Sequence, residues 1–105
     1  MDVQLLVVDD CPNAEGAAAV LRRALDEVGL AGVRFATRVV ADQAEAEAVG
    51  FVGSPTVLID GRDPFAGPGQ TVGLACRLYR DDGGVSGVPP LAALRRALER
   101  AAGRR

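Results

Sequence analysis

Val3-Gln4-Leu5-Leu6-Val7-Val8-Asp9-Asp10-Cys11-Pro12-Asn13-Ala14 is the stretch that decides the fold. Its first six residues form an apolar run, broken by Gln4 alone and rich in β-branched side chains, the pattern of a buried strand. The acidic pair Asp9-Asp10 ends that strand, and a helix follows. Ala17, Val20, Leu21, Ala24, Leu25 and Val28 recur at steps of three and four, which gives the helix one apolar face. Pro12 suits the first helical position, where its missing N–H is not needed. Gly29 suits the stop. A single Cys therefore stands at the junction of a strand and a helix.

Working outward, Val33 to Val40 reads as a second strand, with Val33, Phe35, Thr37 and Val39 on one face. Ala41 to Val49 reads as a short helix stopped at Gly50. Thr56 to Ile59 is a third strand closed by the turn Asp60-Gly61. Arg62 to Gly73 contains Pro64, Gly67, Pro68 and Gly69 and reads as a long irregular loop, with Phe65 tucked beneath it. Leu74 to Arg80 is expected as a fourth strand, in an antiparallel hairpin with the third. Asp81 to Pro90 reads as a linker, and Leu91 to Ala102 as a final helix with Leu91, Leu94 and Leu98 on one stripe. The order β-α-β-α-β-β-α predicts an α/β fold. It has one mixed four-stranded sheet, helices on both faces and right-handed crossovers in the first half. Residues 1–105 fit one domain, with 103–105 a frayed tail.

Three features, in register, resemble the thioredoxin-like superfamily, and among its members the small glutaredoxin-like proteins. Cys11-Pro12-Asn13-Ala14 stands between the first strand and helix, where that family carries Cys-x-x-Cys. Gly53-Ser54-Pro55-Thr56 opens the third strand, where the family carries a cis-proline facing the thiol. Val57-Leu58-Ile59-Asp60-Gly61 resembles the strand and turn that follow. The resemblance implies a thioredoxin-like fold and a catalytic Cys11. It also implies substrate binding by Pro12, Ser54 and Pro55. One departure is plain: Ala14 occupies the place of the second Cys, so dithiol exchange within the motif is excluded.

Cys11 at a helix start would meet unpaired backbone N–H groups, which favour an anionic, nucleophilic sulfur; Asp9 and Asp10 would oppose this. A cis bond before Pro55 would expose the backbone of Ser54 to an extended thiol substrate, added as a strand. Cys76 is the candidate resolving thiol. A plain hairpin would leave it at the end of the sheet away from Cys11, since bridging needs Cα atoms within roughly 7 Å. Alternation places Cys76 with Leu74 and Leu78, so it reads as a packed structural Cys.

Composition narrows the rest. Hydrophobic residues make up 49% and charged residues 25%, the balance of a folded globular chain. The net charge of -2 gives no global field for nucleic acid, and 4% aromatics give no stacking platform. With no His, there are no His-based metal sites, triads or general bases. No metal or cofactor site is assigned. All 12 basic residues are Arg, read with the many Ala as the coding bias of a GC-rich bacterial genome. Arg95, Arg96, Arg100, Arg104 and Arg105 crowd the C-terminus and read as a solvated helix face. No apolar run reaches the roughly 20 residues of a membrane span, and residues 1–8 lack the basic start of a secretion signal. A cytoplasmic chain with reduced thiols is expected. Three functions stay open. The first is thiol-disulfide exchange by Cys11 on a disulfide or low-molecular-weight thiol adduct. The second is binding of a thiophilic metal or organomercurial by Cys11, with or without Cys76. The third is a thioredoxin-fold interaction module with an inert Cys11.

Overall fold

The computed structural model describes residues 1–103. Its elements in order are β1 (Val3–Val7), α1 (Ala14–Glu27), β2 (Phe35–Val39), α2 (Gln43–Val49) and β3 (Thr56–Ile59). They continue with β4 (Tyr79–Asp81), β5 (Gly84–Ser86) and α3 (Leu91–Gly103). The chain is α/β, as its alternation of strand and helix patterns predicts.

β1 is the centre of a three-stranded mixed sheet in the order β2-β1-β3. β2 runs parallel to it, with Val3 opposite Phe35, and β3 antiparallel, with Val3 opposite Ile59. Both faces of β1 are buried, which is why its sequence is an apolar run and not an alternation. Val3, Leu5 and Val7 face α1 and α3 and pack with Leu21, Leu25, Val57, Leu94 and Leu98. Leu6 points the other way, into a smaller cluster with Val40, Ala46 of α2 and Phe51. Helices therefore cover both faces.

Helix ends follow local chemistry. α1 begins at Ala14, two residues later than Pro12 suggests. Cys11 C=O accepts the Ala14 N–H in a turn (3.2 Å), and Asn13 C=O takes the first helical bond from Ala17 N–H (2.9 Å). Its other end closes on Gly29 at φ +81°, with Leu30 N–H donating to Leu25 C=O (2.8 Å), the six-residue closure that needs a left-handed residue at that position. α2 starts after Asp42, whose carboxylate accepts the Glu45 N–H at 2.8 Å. α3 runs through Gly103, inside the tail expected to fray; Arg104 and Arg105 lie outside the described residues.

The expected four-stranded sheet is not formed. β3 spends its pairing on β1, and its turn makes only one bridge, between Ile59 and Arg62. Of the expected fourth strand, Leu74 to Arg80, only its end is a strand. β4 pairs with β5 in a separate hairpin across Asp82-Gly83, within the stretch read as a linker. The two-residue turn rich in Asp and Gly is the local reason. β2 is also shorter than expected, and as an edge strand it leaves Val39 about half exposed at 48%.

Candidate functional site

The candidate site lies where β1 ends. Val8 C=O accepts the Cys11 N–H (3.3 Å), closing a turn that carries Asp10 at φ +57°. Val8 N–H donates to Ser54 Oγ at 3.0 Å. Cys11 is half-buried beside the larger core cluster, and Pro12 is exposed in the turn ahead of α1. The Ser54–Pro55 peptide bond is cis. Gly87 packs against the side chain of Asn13, so the segment after β5 lies over the Cys11-to-Ala14 turn.

Cys76 departs from expectation in both place and exposure. Ser54 N–H donates to Ala75 C=O (3.0 Å), and Arg77 N–H donates to Ser54 C=O (2.9 Å). Those two bonds make a parallel bridge between Ser54 and Cys76. Cys76 is thereby drawn to the same end of the sheet as Cys11, not left at the opposite end as in a plain hairpin. It is also exposed and not packed. Leu74, Cys76 and Leu78 do share a face, but that face is the solvent face. Ala75 is exposed as well, and it is Arg77 and then Tyr79 that turn inward.

Those inward residues are Arg77 and Tyr79, 5% and 4% exposed. Arg77 Nη1 donates to Asp63 Oδ2 at 2.7 Å and to Thr56 Oγ1 at 3.0 Å, while Nη2 donates to the Phe65 carbonyl at 3.0 Å. Its guanidinium also lies 4.9 Å from the Tyr79 ring centroid, a cation–π contact. Phe65 meets Tyr79 edge-on, centroids 5.1 Å apart, and is half-buried beneath the loop as expected. The Tyr79 hydroxyl donates to the Pro55 carbonyl. Burial pushes the Tyr79 phenol well above its usual range, the nearby Arg77 charge notwithstanding. One polar cluster thus ties the long loop and the Cys76 segment to the strand that carries Pro55. Sequence reading missed it. The apolar alternation of Leu74, Cys76 and Leu78 suggested the wrong inner face, and Asp63, the partner of Arg77, is not a sequence neighbour.

Both backbone groups of Ser54 that a substrate strand would use are engaged by Ala75 and Arg77 of the same chain. The backbone edge of Ser54, expected to stay open to an added strand, is therefore filled by the chain's own segment around Cys76. Neither cysteine is in a disulfide. Among the described residues no group of three or more His, Cys, Asp or Glu side chains is placed to hold a metal ion. No helix among them is long and apolar enough to cross a membrane.

Fold and site together define a small α/β protein in which two free thiols stand near a buried cis-proline. No family model, curated protein or solved structure matches the chain.

Proposed function

We propose that the chain is a thioredoxin-like thiol protein in which Cys11 is the attacking sulfur and Cys76 the resolving one. The observation that supports this most is the Ser54–Cys76 bridge. It brings the second thiol of the chain to the end of β1 where Cys11 stands, although Ala14 replaces the second Cys of the motif. The mixed sheet around β1 and the cis bond before Pro55 are in keeping with the superfamily.

The reaction balances without a further group. The Cys11 thiolate attacks one sulfur of a substrate disulfide, forming a mixed disulfide and releasing the other sulfur as a thiolate that takes a proton. The Cys76 thiolate then attacks the Cys11 sulfur and releases the second substrate thiol. The substrate is reduced by two electrons and the protein is left with a Cys11–Cys76 disulfide. Two equivalents of a low-molecular-weight thiol restore the dithiol. Attack by Cys76 needs the two Cα atoms within roughly 7 Å.

Intact mass after alkylation, across a graded series of redox buffers, tests the reading. Reversible loss of two hydrogens with both thiols blocked together supports it. A stable adduct on Cys11 with Cys76 still free in the same molecules overturns the resolving role. Unchanged exchange activity in Cys11→Ser overturns the whole reading.

The same pair of thiols supports a second reading, a site for a soft ion such as Hg(II) or Cu(I), which thiolates select and which needs only two of them. Binding of one ion per chain, lost in Cys11→Ser and in Cys76→Ser alike, would favour it.

A further inference from the structure

We propose that the cleft between the turn after β3 and the last turns of α3 binds a small organic carboxylate. The cleft is about 200 Å³ and is lined by Ile59, Arg62, Asp63, Pro64, Ala97 and Arg100. It lies at the opposite end of the sheet from Cys11, because Ile59 pairs with Val3 at the start of β1. It is therefore independent of the thiol chemistry.

The charge inventory favours an anion. Arg62 and Arg100 come from different elements, and neither side chain has an ion pair or hydrogen bond to another described residue. Arg95, five residues earlier on α3, is by contrast held by Glu27 at 2.6 Å. The one acid in the lining is already engaged: Asp63 Oδ2 accepts from Arg77 at 2.7 Å and Oδ1 from Phe65 N–H at 2.9 Å. Arg62 and Arg100 thus line the cleft with no carboxylate partner among the described residues. The carbonyl end of α3 opposes an anion, but it carries only about half a unit charge against two full ones.

The rest of the lining selects the body of the ligand. Ile59, Pro64 and Ala97 give the cleft an apolar wall, and Ile59 and Ala97 are almost wholly buried. The volume is below the roughly 300–1,000 Å³ of sites for drug-sized molecules. A carboxylate on a short apolar body matches both features, and a guanidinium fork pairs with a carboxylate in two parallel hydrogen bonds.

The test is amide NMR titration of the whole chain with benzoate, inorganic phosphate and neutral benzyl alcohol. Benzoate should give saturable shifts at Ile59, Ala97 and Arg100 below about 20 mM. Affinity should fall about tenfold in Arg62→Ala and in Arg100→Ala, the loss of one charge-assisted contact. Arg34→Ala, an exposed Arg outside the cleft, should leave it unchanged. The proposal is overturned by the absence of saturable shifts, or by binding that survives both substitutions. It is equally overturned if phosphate or benzyl alcohol matches benzoate. Arg62 and Arg100 are exposed, so their replacement leaves the core intact.

Discussion

Gly53 and Arg77 approach so closely that a Cβ on Gly53 would stand 2.9 Å from the Arg77 Cβ and 3.1 Å from the Ala75 carbonyl oxygen. Gly53 is also at φ +135°, where L side chains rarely go. The bridge that carries Cys76 thus depends on the glycine one residue ahead of Ser54. Gly53→Ala should lose about 3 kcal/mol of stability, from backbone strain and overpacking together. Urea unfolding measures it. A loss under about 1 kcal/mol would mean that the Cys76 segment moves away easily.

Arg77 and Asp63 form an ion pair with side chains only 4% and 10% exposed. Removing one partner strands a buried charge. Asp63→Ala should therefore lose about 3–5 kcal/mol. Replacing both at once, with Asp63→Leu and Arg77→Met, should lose clearly less than the sum of the single changes. A double-mutant cycle by denaturant unfolding separates the two outcomes, and strict additivity would mean that the pair is not coupled.

Where sequence and structure agree, the reason is local. The apolar run of β1, the stripe of α1 and the stops at Gly29 and Gly50 are written in consecutive residues, and all appear. The junction that places Cys11 is legible for the same reason. The second half of the chain is not, because its partners are distant. Nothing near Cys76 announces that Ser54, 22 positions earlier, will take its neighbours' backbone bonds. The face expected to be buried, Leu74, Cys76 and Leu78, is exposed, and Arg77 is buried in its place because Asp63 pairs with it; a buried Arg is exceptional without such a partner. The hairpin of β4 and β5 had a local signal in Asp81-Asp82-Gly83-Gly84, which also fits a linker.

The start of α2 rests on one side chain. Asp42 alone caps it, through Glu45 N–H. Asp42→Ala should lose about 1 kcal/mol, and Asp42→Ser or Asp42→Asn should retain most of it. Thermal unfolding of the three variants checks this. Equal loss in all three would show that the carboxylate's charge, and not its capping bond, is what matters.

Tyr79 is the one tyrosine of the chain, so its ionisation can be followed by tyrosinate absorbance without interference. Burial raises its phenol above the ordinary value of 10. The native state therefore keeps a proton that the unfolded chain gives up near pH 10. The stability from this group is whole below that pH. Above it, stability declines by up to about 1.4 kcal/mol per pH unit until the native phenol itself titrates. Tyr79→Phe should remove this part of the alkaline slope. It should also lose about 1 kcal/mol at neutral pH, because the Pro55 carbonyl loses its donor. An unchanged alkaline slope in Tyr79→Phe would assign the decline to other groups.

If Cys11 and Cys76 pair on oxidation, the bond closes a loop of about 65 residues, and the unfolded chain loses entropy worth about 4 kcal/mol. That gain appears in full only when the folded backbone already holds the two residues at bridging geometry. The Ser54–Cys76 bridge and the Cys11 turn at the end of β1 are what would hold them there. Oxidised wild-type protein should therefore unfold at a higher urea concentration than reduced protein. Cys76→Ser should show no such difference. An oxidised form less stable than the reduced one would mean that the bond forms only by pulling the Cys76 segment off Ser54. In that case Gly53→Ala, which loosens the same bridge, should make oxidation easier, and in the first case harder. The two variants together thus distinguish a thiol pair set in place by the fold from one that meets only when the fold gives way.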